Sequence, residues 1–306
     1  MRSDGIEGSA RAADGYELAV TRFPAQGAAW ATMCIAAAMG VKRDFYAPIA
    51  RFFAGNGIHV LTFDYRGMGG SRRGSLAALD ADIRTWAEKD LAAMLVEARN
   101  PDPYLPLVFV GHSLGGQVIG VTPGSDAVRA VVTANAGSGY YRLNDGMRFR
   151  VRLLWFFMFP VFTRLFGYFP GKRLRMVGDL PKGVARQWRR WCLHPEYLLA
   201  EGEAWRSKMA AFNAPILRYS FSDDRMINER ATDSLHSFYR GARVDRRHIV
   251  PSQVGEARIG HFGFFHERSR DKLWREALEW LRNEVRPGGM ATAVDEREHG
   301  RATHGA

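Results

Sequence analysis

An apolar segment, Leu107-Val108-Phe109-Val110, runs through Gly111-His112-Ser113-Leu114-Gly115 straight into the helical text Gly116-Gln117-Val118-Ile119. No linker separates the two, so a strand must end and a helix begin inside one tight turn. Glycines at both ends of the pentapeptide leave room for a strained backbone that pushes Ser113 out above the strand end. The helix N-terminus behind it favours developing negative charge. A bare G-x-S-x-G is a weak signal, and a Gly-rich turn with an incidental serine is its plain alternative. The strand before it and the helix after it are what give it weight.

The same alternation continues on both sides. Strands are expected at 16–23, after the Asp14-Gly15 turn, and at 32–39, 58–63 and 128–134. Helical spacing occupies 45–56, where Gly57 is the stop, then 85–98 and 114–121. Further on, a strand at 215–219, a helix at 231–239, a strand at 248–250 and a terminal helix carrying Leu273, Ala277, Leu278, Leu281 and Val285 complete the pattern. Alternation of this kind predicts an α/β fold, a mainly parallel central sheet with helices on both faces. Between Tyr140 and Trp205 it gives way to aromatic, Arg-rich helical text. The expected organisation is therefore a polar lead-in over 1–12, a core over 13–139 and 206–286, a helical cap insertion over 140–205 and a disordered tail over 287–306.

With 46% hydrophobic and 25% charged residues, the 306-residue chain can bury a large core, which excludes wholesale disorder. Its 43 Lys and Arg exceed its 32 Asp and Glu, for a net charge of +11. Because the arginines are scattered without a long run, no nucleic-acid partner is expected. Cys34 and Cys192 are too few for a disulfide framework and lie in apolar text, and the N-terminal region lacks an apolar export segment. A cytoplasmic location is the expectation. Neither a metal nor another cofactor is expected, since there is no His-x-x-x-His or Cys-x-x-Cys pair, no phosphate-binding loop and no complete G-x-G-x-x-G.

A serine hydroxyl needs an oriented base to act as a nucleophile, and both partners are found downstream. Asp223 and Asp224 follow the strand near 215–219, with Asp224 favoured as the orienter and a solvated turn as the plain alternative. His261 precedes the last helix; His266, beside Glu267, is the weaker candidate.

These blocks resemble the α/β-hydrolase superfamily, in particular the serine aminopeptidase-like and monoacylglycerol-lipase-like branch and its bacterial hydrolase relatives. The resemblance runs over about residues 13–286 through Asp14-Gly15, the block Phe63-Asp64-Tyr65-Arg66-Gly67-Met68-Gly69-Gly70-Ser71, the Ser113 turn and the loops of Asp224 and His261. It implies Ser113 as nucleophile, His261 as general base and acid, Asp224 as orienter, and the amides of Leu114 and Val41 as an oxyanion hole. One departure bears on that hole. Relatives usually carry His-Gly after the third strand, where this chain has Ala38-Met39-Gly40-Val41. The segment 64–71 reads in the family as a structural loop.

The insertion falls where the family carries its cap. Pro160 and Arg164 interrupt its apolar run, which argues against a membrane span. An aromatic lid over an acyl pocket, with Trp155 and Phe157 on its wall, is the expectation. A peripheral membrane contact is the rival, aided by Arg148, Arg150 and Arg152 before the run and Lys172, Arg173 and Arg175 after it. The function expected is a serine hydrolase for a small-molecule carboxylic ester or related acyl compound. An acyltransferase using the same residues and a non-catalytic binding protein are the alternatives.

Overall fold

The computed structural model describes residues 5–143, 152–174 and 176–285. Arg148, Arg150, Arg175 and the tail 287–306 lie outside the described residues.

Eight strands form one sheet, in the order β1 (Ile6–Arg11), β2 (Glu17–Phe23), β4 (Ile58–Phe63), β3 (Ala31–Ala36), β5 (Leu107–His112), β6 (Val128–Ala134), β9 (Ile216–Phe221) and β10 (Val244–Ile249). β1 and β2 are antiparallel to their neighbours and every pair from β4 to β10 is parallel. The central strands are rich in apolar residues because both of their faces are covered: every residue of β3, β5 and β9 is buried, Arg218 and Ser220 of β9 included. β10, Val244-Asp-Arg-Arg-His-Ile249, lies at one edge and carries charge because it has a single neighbour in the sheet.

β1 corrects the reading of residues 1–12 as a plain lead-in. Its side chains are mostly exposed, so no apolar alternation marks it. It is held by its register on β2, from Ile6 opposite Arg22 to Arg11 opposite Glu17.

The predicted helix at 85–98 begins slightly earlier, at Ile83, capped by the Asp82 carboxylate, which accepts from the Thr85 amide at 2.7 Å. It continues through a wider turn, Trp86–Leu91, into Ala92–Ala98. The block after β4 is a buried polar knot. Asp64 accepts from the Arg43 amide at 2.8 Å, the Arg43 guanidinium at 2.6 Å and the Gly70 amide at 2.9 Å. Arg66 bridges Asp14 and Asp90.

Among the described residues, 140–205 adds no strand to the main sheet. β7 (Tyr168–Phe169) and β8 (Leu180–Pro181) pair antiparallel with each other. The helix Lys182–Leu193 is fastened to the core by Gln187, whose side-chain oxygen accepts from the amides of Ile83 at 2.6 Å and Arg84 at 3.1 Å.

Candidate active site

Parallel strands end on one side of the sheet, and the chain positions the sequence singled out gather at those ends. After β3 come Ala38 to Val41, after β5 comes Ser113, after β9 come Asp223 and Asp224, and His261 follows β10; Asn135, which the sequence did not single out, follows β6.

Ser113 sits at φ 49° and ψ −112°, a strained conformation for a side-chain-bearing residue, and begins the helix Leu114–Val118. The turn is possible because its neighbours lack a Cβ. One on Gly111 would meet Gly116 Cα at 2.5 Å, and one on Gly115 would meet the Ala36 carbonyl oxygen at 2.3 Å. Ser113 is itself only half-buried. As the first residue of the helix, Leu114 has an amide without an intrahelical acceptor.

His261 Nδ1 lies 2.8 Å from Asp224 Oδ2. Since the carboxylate only accepts, Nδ1 carries a proton, which in the neutral imidazole leaves the lone pair on Nε2. Three other donors converge on the same carboxylate: Asn135 Nδ2 at 2.7 Å, the Met226 amide at 2.8 Å and the Ile227 amide at 3.1 Å. Burial pushes the Asp224 carboxyl up, but His261 and these donors outweigh it and hold it below the ordinary carboxylate range. Asp223 has separate work. Its oxygens accept from the amides of Ile259 at 2.9 Å and Gly260 at 2.9 and 3.0 Å, clamping the loop just before His261. His266, by contrast, is exposed and packs edge-on against Phe45.

His112 was not singled out by sequence. Its Nδ1 is 2.9 Å from Tyr46 Oη and its Nε2 is 2.9 Å from the His261 carbonyl oxygen. Tyr46 Oη also accepts from the Ala38 amide at 2.8 Å. The donors can be assigned from one end: the carbonyl requires Nε2–H, so Nδ1 accepts the tyrosine proton. Burial, then the nearby His261, pushes the His112 pKa well below the histidine range, so the ring is neutral. This chain of bonds ties the end of β3, the serine turn and the histidine loop together.

Ser113, Leu114, Met39 and His261 line one cavity of about 140 Å³, whose other walls include Trp155, Trp188, Cys192 and Tyr197. It is mostly apolar. Gln117 and Tyr197 hydrogen-bond each other at 2.9 Å, so these polar groups meet each other's needs. Burial raises the Cys192 thiol well above its usual pKa, which keeps it from competing as a thiolate.

Two expectations are corrected. The Val41 amide is not free to serve an oxyanion, because it donates to the Ala38 carbonyl at 3.1 Å across a tight turn in which Gly40 has φ 77°. Phe157 is not on the pocket wall. It is 57% exposed on the outer side of the cap, whereas Trp155 is 5% exposed and lines the cavity. Two residues apart on a helical turn of 3.6, or wider, such side chains point to opposite sides. Asn135 could have been suspected from its place directly after a parallel strand, although nothing in its local sequence distinguishes it.

A family model described as "Alpha/beta hydrolase family" matches residues 25–276. The chain belongs to the alpha/beta hydrolase family. Solved structures with the same fold include a soluble variant of monoglyceride lipase from Saccharomyces cerevisiae, at 13% identity over 92% of this chain and 95% of that one, with a TM-score of 0.65. A carboxyl esterase from Bacillus coagulans aligns at 11% identity over 92% and 99%, with a TM-score of 0.64. The esterase domain of a Rhodothermus marinus protein aligns at 16% identity over 92% and 100%, with a TM-score of 0.56. A comparison with curated protein sequences gives no match. In this alpha/beta hydrolase the sheet carries helices around it and the candidate residues at its C-terminal edge.

Proposed function

We propose that this chain is a serine hydrolase that cleaves a carboxylic ester or related acyl compound. Ser113 attacks the carbonyl while His261 Nε2 takes its proton, and Asp224 orients the imidazole and stabilises its charged form. The same histidine then protonates the leaving group, and water, activated in turn by His261, releases the acid. The amide of Leu114, at a helix N-terminus, and that of Met39, beside Ser113 on the cavity wall, hold the oxyanion.

The observation that carries this reading is the 2.8 Å bond between His261 and Asp224, with His261 and the strained Ser113 on the same cavity. A cavity of about 140 Å³ lies below the ~300 Å³ at which sites for drug-sized molecules begin, which favours a short acyl group.

Labelling of folded protein with a fluorophosphonate, followed by mass-spectrometric mapping, tests the assignment. The adduct is expected on Ser113 and absent from Ser113→Ala. Folded protein with an unlabelled Ser113 and no turnover of short p-nitrophenyl esters would refute it.

A further inference from the structure

The cap helix is apolar on both sides, and among the described residues one side is buried against the protein while the other shows large apolar side chains to solvent, Phe156 touching Tyr141 edge-on. Trp155, Phe159 and Thr163 are buried, at i, i+4 and i+8. The other side shows Leu153, Phe156 and Phe157 to solvent, followed by Leu165 near the helix end, with exposures from 43% to 71%. Scattered single hydrophobes are ordinary on a protein surface, but four on the outer side of one short helix form a patch.

A cleft of about 290 Å³ opens beside it, between the helix Phe159–Phe166 and the helix Lys182–Leu193. It is lined by Arg164, Arg186 and Arg189 with Phe159, Pro160, Thr163 and Ala185. No carboxylate is among the described residues that line it. Arg189 Nε is anchored on the Trp155 carbonyl, which holds that guanidinium beside the apolar helix. The charge bias extends over the surrounding sequence: residues 152–190 contain nine Lys or Arg and a single acid, Asp179. Asp179 is already used, accepting from the Lys172 amide at 3.1 Å and facing Arg72 at 3.8 Å.

We propose that the cap is a docking surface for an anionic lipid bilayer. The exposed Phe and Leu side chains enter the acyl boundary, and the cleft of Arg164, Arg186 and Arg189 holds a lipid phosphate. Both halves of the chemistry are required by what is seen. An apolar partner alone would supply no counter-charge to the three guanidinium groups, and a free anion would leave the aromatics in water. Guanidinium forks suit phosphate oxygens, and an apolar strip flanked by cations is the pattern of a helix lying in the headgroup region. Spanning is excluded for this segment by length: Leu154 to Phe166 rises roughly 20 Å against a hydrocarbon core of about 30 Å. No helix among the described residues is long and apolar enough to cross a membrane. The inference does not rest on the proposed hydrolase activity.

Vesicle co-sedimentation of the full chain tests it, with phosphatidylcholine vesicles compared against vesicles containing phosphatidylglycerol in addition. The chain should sediment with the anionic vesicles and much less with the neutral ones. Phe156→Ser with Phe157→Ser, and separately Arg164→Glu with Arg186→Glu, should each weaken binding about tenfold or more while circular dichroism stays unchanged. Raising the salt should weaken the wild type and leave the arginine variant little changed. Three results would overturn the proposal. One is the absence of wild-type binding to anionic vesicles. Another is binding that neither pair of substitutions alters. The last is a thermal upshift with inorganic phosphate but no vesicle binding, which would make the cleft a site for a soluble anion. If the Phe variants instead dissolve a dimer in light scattering and the wild type ignores vesicles, the patch joins copies of this chain.

Discussion

His112 Nε2 hydrogen-bonds the main-chain carbonyl of His261 at 2.9 Å, across 149 positions of sequence. The residue before the candidate nucleophile therefore holds the backbone of the candidate base. His112→Phe keeps a ring but loses both hydrogen bonds, so the His261 loop is free to shift. A displacement of about 1 Å at a reacting group can cost on the order of 100-fold in rate. The expected outcome is a kcat lowered by about that factor with KM nearly unchanged. Tyr46→Phe, which removes the proton donated to Nδ1 and the acceptor of the Ala38 amide but leaves the bond to the His261 carbonyl, should be milder. Steady-state kinetics on a short ester, with circular dichroism to check folding, measures both. A kcat untouched in His112→Phe would show that the bond does not position the base.

The two adjacent carboxylates should separate cleanly. Asp224→Asn replaces the acceptor of the histidine proton and is expected to cut turnover by about 10³ to 10⁶. Asp223→Asn retains an oxygen for the amides of Ile259 and Gly260, so its loss should be far smaller and show partly as reduced loop stability. If Asp223→Asn is the more damaging with an unchanged spectrum, the roles are reversed.

Chain-length dependence divides Trp155 from Phe157. Trp155 packs on Phe159 at 4.7 Å and Trp188 at 5.0 Å and closes the cavity. Trp155→Ala should lower stability by about 3–5 kcal/mol and admit longer acyl groups, raising decanoyl relative to acetyl turnover. Phe157→Ala, on the outer surface, should leave the series from acetyl to decanoyl as it is in the wild type. Measured as kcat/KM below each ester's aggregation limit, a change in Phe157→Ala and none in Trp155→Ala would contradict the pocket described above.

Acid should destabilise the fold through a histidine outside the site. His236 is buried, with Nδ1 2.8 Å from the Thr232 carbonyl and Nε2 3.0 Å from Thr133 Oγ1. Burial, chiefly, pushes its pKa down to about 4. In the unfolded chain a histidine takes its proton near pH 6.5, so between about 6.5 and 4 the unfolded state binds more protons than the folded one. The stability is therefore present above that window and falls as pH drops through it, by on the order of 3 kcal/mol for full traversal. His112, pushed down in the same direction, adds to the effect. Melting temperatures from pH 8 to 5 should decline, and His236→Asn should flatten the decline. Parallel curves for the two proteins would locate the acid sensitivity elsewhere.

Sequence by itself determined what depends on neighbours in the chain. The apolar runs at β4 and β6 agree residue for residue with the strands at Ile58–Phe63 and Val128–Ala134. The serine turn was legible because only glycine tolerates the contacts that flank it, a local steric demand. Order along the chain also singled out Asp224 and His261. Tertiary structure decided the rest, because the deciding contacts join residues far apart. What Asp223 and Asp224 each do is set by what they meet on the same distant loop, the amides of Ile259 and Gly260 for Asp223 and the His261 imidazole for Asp224. The Asn135 side chain gains its role from Asp224, 89 positions away. Val41 loses its expected role to one turn bond whose formation depends on how Gly40 packs, with its site for a Cβ only 2.4 Å from the Gly178 amide nitrogen. Periodicity places Trp155 and Phe157 on opposite sides of a helix, but which side faces the cavity is set by the elements packed against it. Short-range sterics and apolar spacing are written in consecutive residues; hydrogen-bond partners and the inward face of a helix exist only once the sheet has brought its strand ends together.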